Sequence, residues 1–204
     1  MAISTYSELQ ATIADFLMRQ DLAAVIPSFI TLAESGFNRR LRHWRMETIA
    51  TAAFNEPTEY LPSDWVETIR LELDGSGPLR LISPQEMMKE RANTWETGNP
   101  RFFTHTAGLI ELWPAPTSST GSGRLTYFAK VPPLSDSATS NWLLEEAPDL
   151  YLYGALVHSA PYLQEDGRVA IWGGIYADIL NGLNEQSEKA RFSGPLVMRG
   201  TFNG

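Results

Sequence analysis

The 204-residue chain contains no cysteine and only three histidines. Without thiols it can have no disulfide framework, thiol nucleophile or thiolate metal site, a composition that suits a reducing compartment. His43, His105 and His158 each lack a second histidine or carboxylate at a metal-ligand spacing such as H-x-x-x-H. The GxSxG, P-loop and Rossmann signatures are missing as well. Gly173-Gly174 reads as close helix packing, and the adjacent Glu145 and Glu146 diverge on a helix, so they form no acid/base pair. No catalytic residue, cofactor site or metal site is therefore assigned, and the chain is not expected to be an enzyme. Cations are scarce too. Sixteen Lys and Arg face 24 Asp and Glu, and a net charge of −8 argues against gripping nucleic acid over much of the surface. No apolar run is long enough to span a bilayer, and MAISTYSELQ lacks the basic and apolar regions of a signal peptide. Folding in a cytoplasm is expected.

The most informative stretch lies at Asp149–Ser193. From Leu150 to Gln164 there is no Asp, Glu, Lys or Arg, and a helix without a polar face has to be buried all round. This predicts the central helix of a bundle, opened by Pro148 and Asp149 and kinked at Pro161. Asp166 is expected to cap a last helix whose Val169, Trp172, Tyr176, Ile179 and Leu183 share one face. Leu150, Tyr153, Val157, Trp172, Tyr176 and Ile179 are the expected bundle core. At the other end, Leu9, Ile13, Phe16 and Leu17 predict a helix over Glu8 to about Arg19, N-capped by Ser7, with Tyr6 stapled against Ala11. A second helix starts near Pro27 and buries Ile26, Phe29, Ile30, Ala33, Phe37 and Leu41, and its Gly36 marks a close crossing.

Between these ends the texture changes. Short extended pieces at Met46–Ala53, Glu59–Pro62, Trp65–Leu73, Leu79–Ile82, Arg101–Thr104, Leu109–Trp113 and Leu125–Val131 are broken by Gly and Pro turns. Asp74–Gly77 should turn the chain back into Leu79–Ile82, and Ser83-Pro84-Gln85-Glu86 should open a short helix to about Ala92. The expectation is an α+β fold: a helical bundle from residues 1–45 and 133–193, an inserted antiparallel β domain, sandwich or small barrel, over 46–132, and an extended tail at 194–204.

Two stretches stand out as interaction candidates. Arg39, Arg40, Arg42, His43 and Arg45 form the one concentrated basic run, read either as a solvated helix end or as an intersubunit or DNA-facing patch. The tail carries Leu196, Val197, Met198, Arg199 and Phe202 between glycines, a pattern suited to docking on a partner. Trp65, Trp95 and Trp113 leave open a binding module for a glycan or peptide if they line one exposed groove.

Taken in order, STYSELQATIADFLMRQDLAAVIPSFITLAESGFNRRLR, YLPSDWVETIRLEL, RLISPQEM, NWLLEEAPDLYLYGALVHSAPYL and VAIWGGIYADILNGLNEQSEKARFSG resemble the head-to-tail adaptor proteins of tailed bacteriophages, the tubular tail A-like family. The resemblance covers nearly the whole chain. It implies a structural virion protein at the head–tail interface, made in the host bacterial cytoplasm. It further implies a ring of about twelve copies that joins the portal protein to a downstream nozzle or tube protein. Genomic double-stranded DNA would pass through the ring without sequence-specific binding. No cofactor, membrane or enzymatic activity is implied; a stopper or other tail-completion protein is the alternative virion role.

Overall fold

The computed structural model describes residues 3–74, 77–93, 97–117, 121–163 and 167–191. Among them are six helices: α1 (Tyr6–Leu17), α2 (Ile26–Arg40), α3 (Pro84–Asn93), α4 (Trp142–Glu146), α5 (Pro148–His158) and α6 (Arg168–Arg191). The strands are β1 (Glu47–Ala53), β2 (Thr58–Tyr60), β3 (Trp65–Leu73), β4 (Gly77–Pro78), β5 (Arg80–Leu81), β6 (Phe102–Thr106), β7 (Leu109–Trp113) and β8 (Ser122–Ala129). The fold is α+β, as the patterning predicts. Contacts divide the chain into two compact units, Met1–Trp44 with Val131–Gly204, and Arg45–Lys130.

In the helical unit α5 is central and packs against α1, α2 and α6. Leu150, Tyr151, Leu152, Gly154, Ala155 and Leu156 are buried, whereas Tyr153 and Val157 are only half-buried. A Cβ on Gly154 would lie 3.1 Å from Ala33 Cβ, 3.2 Å from Phe37 Cε1 and 3.3 Å from Tyr176 Cε2. The missing side chain thus lets α2 and α6 close on α5. Gly36 plays the same part on α2, where a Cβ would meet the Tyr176 hydroxyl at 3.1 Å. Along α6 the core residues are Trp172, Leu180, Leu183 and Ser187; Val169, Tyr176 and Ile179 are half-buried.

Helix ends depart from the sequence expectation where local hydrogen bonds decide. Thr5, not Ser7, caps α1: its hydroxyl accepts from Glu8 N–H, and the Glu8 carboxylate accepts from Thr5 N–H. That reciprocal pair sets the frame and puts Tyr6 into the core instead of a staple. The helix stops at Leu17, because Met18 turns left-handed (φ 54°). Pro161 does not kink a continuing helix. The α-helix has already ended at His158, Ser159 Oγ donates to Leu156 O, and Ala160–Tyr162 forms a 3-10 turn. The residue expected to cap the last helix, Asp166, lies outside the described residues.

The returning strand of coil, residues 131–141, is fastened to the bundle by side chains. Val131 N–H donates to Asn38 Oδ1 and Leu134 N–H to Glu34 Oε1, at 2.9 and 2.8 Å. Asn141 donates to Pro132 O and Tyr151 Oη and accepts from Leu143 and Leu144 N–H, capping α4. Tyr151 Oη in turn donates to Glu34 Oε1 at 3.3 Å. Burial raises the Glu34 pKa against the pull of those two bonds, and burial also raises that of Tyr151.

The second unit is a sandwich. One sheet has the order β1-β8-β3-β4 and the other β2-β7-β6-β5. Leu71, Leu73, Leu125 and Tyr127 from the first and Phe103, Ile110 and Leu112 from the second share one core with Phe54. A Cβ on Gly123 would fall 2.5 Å from Phe54 Cδ2, so the bare β8 backbone is what admits that ring. Ala107 and Gly108, both at positive φ, make the two-residue turn that joins β6 to β7. The expected return of Leu79–Ile82 onto β3 is corrected beyond Leu79: Gly77–Pro78 pairs there and Leu79 N–H donates to Leu71 O, but Arg80–Leu81 crosses to run parallel to β6. Ser83 Oγ accepts from Glu86 N–H at the start of α3, as the S-P-Q-E spacing predicts.

Candidate functional site

The basic run does not form one patch. Helix α2 ends at Arg40, and the chain turns extended at Leu41. Arg42 folds back on the helix end, its Nη1 donating to Leu41 O at 2.7 Å and Asn38 O at 3.3 Å, while its N–H donates to Asn184 Oδ1. It satisfies carbonyls that a helix C-terminus leaves open. His43 is fully buried, stacked on Trp142 (centroids 5.3 Å, 17° between planes), with Nε2 3.7 Å from Glu146 Oε1. Arg45 begins the other unit. Arg39 and Arg40 remain exposed on the helical unit. Arg39 continues an outward stripe of α2 with Ser28, Leu32 and Ser35, spaced i, i+4, i+7 and i+11, and Leu32 on that stripe is 48% exposed.

On another side of the helical unit lies a groove of about 570 Å³ lined by Ile3, Ser4, Glu145, Pro148, Asp149, Leu152 and Tyr153. Its floor is apolar, and two exposed carboxylates stand at it with no Lys or Arg among the lining residues. Glu145 accepts from Ser140 Oγ, and Asp149 caps its own Leu150 N–H. Sequence reading missed this groove, because Glu145 and Asp149 sit four apart across the α4–α5 break and look there like ordinary helix-start acids.

The β unit carries a second groove, about 590 Å³, lined by Met88, Arg91, Ala92 and Trp113. The Arg91 guanidinium pairs with the Glu111 carboxylate and lies 5.4 Å from the Trp113 ring centre. Trp65 does not join Trp113 there. It packs on the sandwich core, 5.2 Å from the His105 ring, with Nε1 donating to Thr68 Oγ1. Trp95, and the docking-tail residues Leu196, Val197, Met198, Arg199 and Phe202, lie outside the described residues.

Two of the histidines, His43 and His105, pack among aromatic rings. His105 sits between Trp65 and Phe103, with no hydrogen-bond partner on either ring nitrogen, and burial lowers its pKa. Burial, with Arg39 nearby, also lowers that of His158. Among the described residues no three His, Asp or Glu side chains are grouped to hold a metal ion. No described helix is long and apolar enough to cross a membrane.

What the described surfaces offer is two grooves and exposed cations. No curated protein matches the chain. The family model described as SU10 adaptor protein matches residues 4–199, and the chain belongs to that family, a bacteriophage adaptor and structural component of the virion.

Proposed function

We propose that the protein is the head-to-tail adaptor of its phage, assembling into a ring of about twelve copies under the portal that continues the DNA channel toward the tail protein. The family match over residues 4–199 carries this reading. The structure supports it in kind. The helical unit is fixed by a close-packed three-helix crossing and by side-chain bonds to the returning coil, and a ring subunit needs that rigidity. The acidic balance of the chain disfavours tight DNA binding, which suits a conduit through which the genome must slide.

The tail, 194–204, is proposed to dock on the portal through Leu196, Val197, Met198 and Phe202, with Arg199 as its one charge. Cutting the chain after Ser193 is expected to leave the melting temperature nearly unchanged and to abolish portal binding. Undiminished binding by the truncated protein contradicts the docking role. Light scattering tests the ring itself: a species of many copies on addition of the portal is expected, and monomer alone, with and without portal, overturns it.

A further inference from the structure

A closed ring needs two different patches on one subunit, each complementary to the other, facing different ways. We infer that the groove of Ile3, Glu145, Asp149, Leu152 and Tyr153 on one copy receives the outer stripe of α2, with Leu32 and Arg39 and the flanking Arg40, from the next copy. This rests on the ring reading and names the contact that builds it.

Placement supports the pairing. Helix α5 turns the side bearing Tyr151 and Gly154 toward α2, since Tyr151 bonds Glu34 and Gly154 faces Ala33 and Phe37. At 100° per residue, Asp149, Leu152 and Tyr153 fall on the opposite side of α5. The groove and the outer face of α2 therefore look away from one another within one helical unit, as a head-to-tail contact requires.

Chemistry supports it too. In a protein of net charge −8, copies repel unless local cations meet local anions. The groove offers two carboxylates and no Lys or Arg of its own beside an apolar floor. The α2 stripe offers the converse, cations beside an exposed leucine. Leu32 and Arg39 are seven residues apart, about 10 Å along the helix, so one can reach the floor while the other reaches the carboxylates. Exposed ion pairs alone add little. In this contact they set partner, register and direction, and Leu32 against the half-buried Ile3, Pro148 and Tyr153 supplies the apolar burial.

The absence of cysteine makes the test clean. The full chain carrying both Arg39→Cys and Asp149→Cys is mixed with its portal, treated with a short bismaleimide and run on a denaturing gel. A ladder of covalent oligomers is expected. Either single variant should stay monomeric, and a mixture of the two singles should stop at dimers. In parallel, Arg39→Glu with Arg40→Glu should reduce assembly at least tenfold, and adding Glu145→Arg and Asp149→Arg should restore it, each variant first showing a wild-type melt. If the wild type forms rings but no ladder appears, or the four-fold charge swap rescues nothing, this contact is wrong while the ring stands. If the wild type forms no ring, both fall.

Discussion

Glu34 is a buried carboxylate that accepts from two donors, Leu134 N–H and Tyr151 Oη. Burial raises its pKa above the ordinary carboxylate value. The folded state therefore holds the proton more tightly than the unfolded chain. The stability this contributes is fully present below the unfolded pKa and is lost as pH rises through the folded pKa. Glu34→Gln removes that slope. Its melting temperature, relative to wild type, should rise between pH 4 and pH 7, and a difference that is flat or falls with pH contradicts the assignment. The histidines act the other way. The lowered pKa values of His105 and His158 mean stability present above about pH 6.5 and lost as pH falls through their folded values. His105→Phe, in a pocket where the imidazole has no hydrogen-bond partner, should shrink the drop in melting temperature between pH 7 and pH 5. Asn141→Ala should destabilise by about 2–4 kcal/mol in a denaturant titration, because it removes the α4 cap and the donor to Pro132 O and Tyr151 Oη, leaving the tyrosine only its bond to Glu34. On the edge of the sandwich core, the Tyr127 hydroxyl, pushed up to about 12 by burial and by donating to Asp64, should stay protonated at any ordinary pH.

At the scale of elements, glycines with and without neighbours separate cleanly. Gly123→Ala would drive a methyl into Phe54 and Leu73 and should destabilise by about 1–3 kcal/mol. Gly182→Ala, on α6 with nothing within 4 Å, should stabilise by about 0.4–1 kcal/mol. Trp172→Ala, emptying a buried site on α6, should cost about 3–5 kcal/mol. Thermal melts of the three variants check all of these, and Gly123→Ala melting with wild type would mean that β8 and Phe54 are not packed as described. The same elements show what the sequence carries and what it hides. The α2 stripe, the Trp65–Leu73 strand and the α3 start were readable, because period and capping are local properties. The α5 run without charges announced burial but not which side faced which helix, so the half-buried Tyr153 and Val157 stood among expected core residues while Tyr151 did not. The switch of β5 to the other sheet was hidden, since two paired residues carry no period. In the basic run, linear proximity masked divergence: one helix end sends Arg39 outward, folds Arg42 back and buries His43.

At the scale of the molecule, two units in one chain serve a virion component whose work is to join other proteins. The proposed head-to-tail contact makes the rigidity of the helical unit functional: small angular errors in a subunit would accumulate around a closed ring. The account therefore stands on assembly. The most direct measurement is single-particle imaging of the purified protein mixed with its portal. The account predicts a closed ring of about twelve copies docked on one face of the portal, with the channel continuous through both. Portals that stay bare beside unassembled adaptor would contradict it.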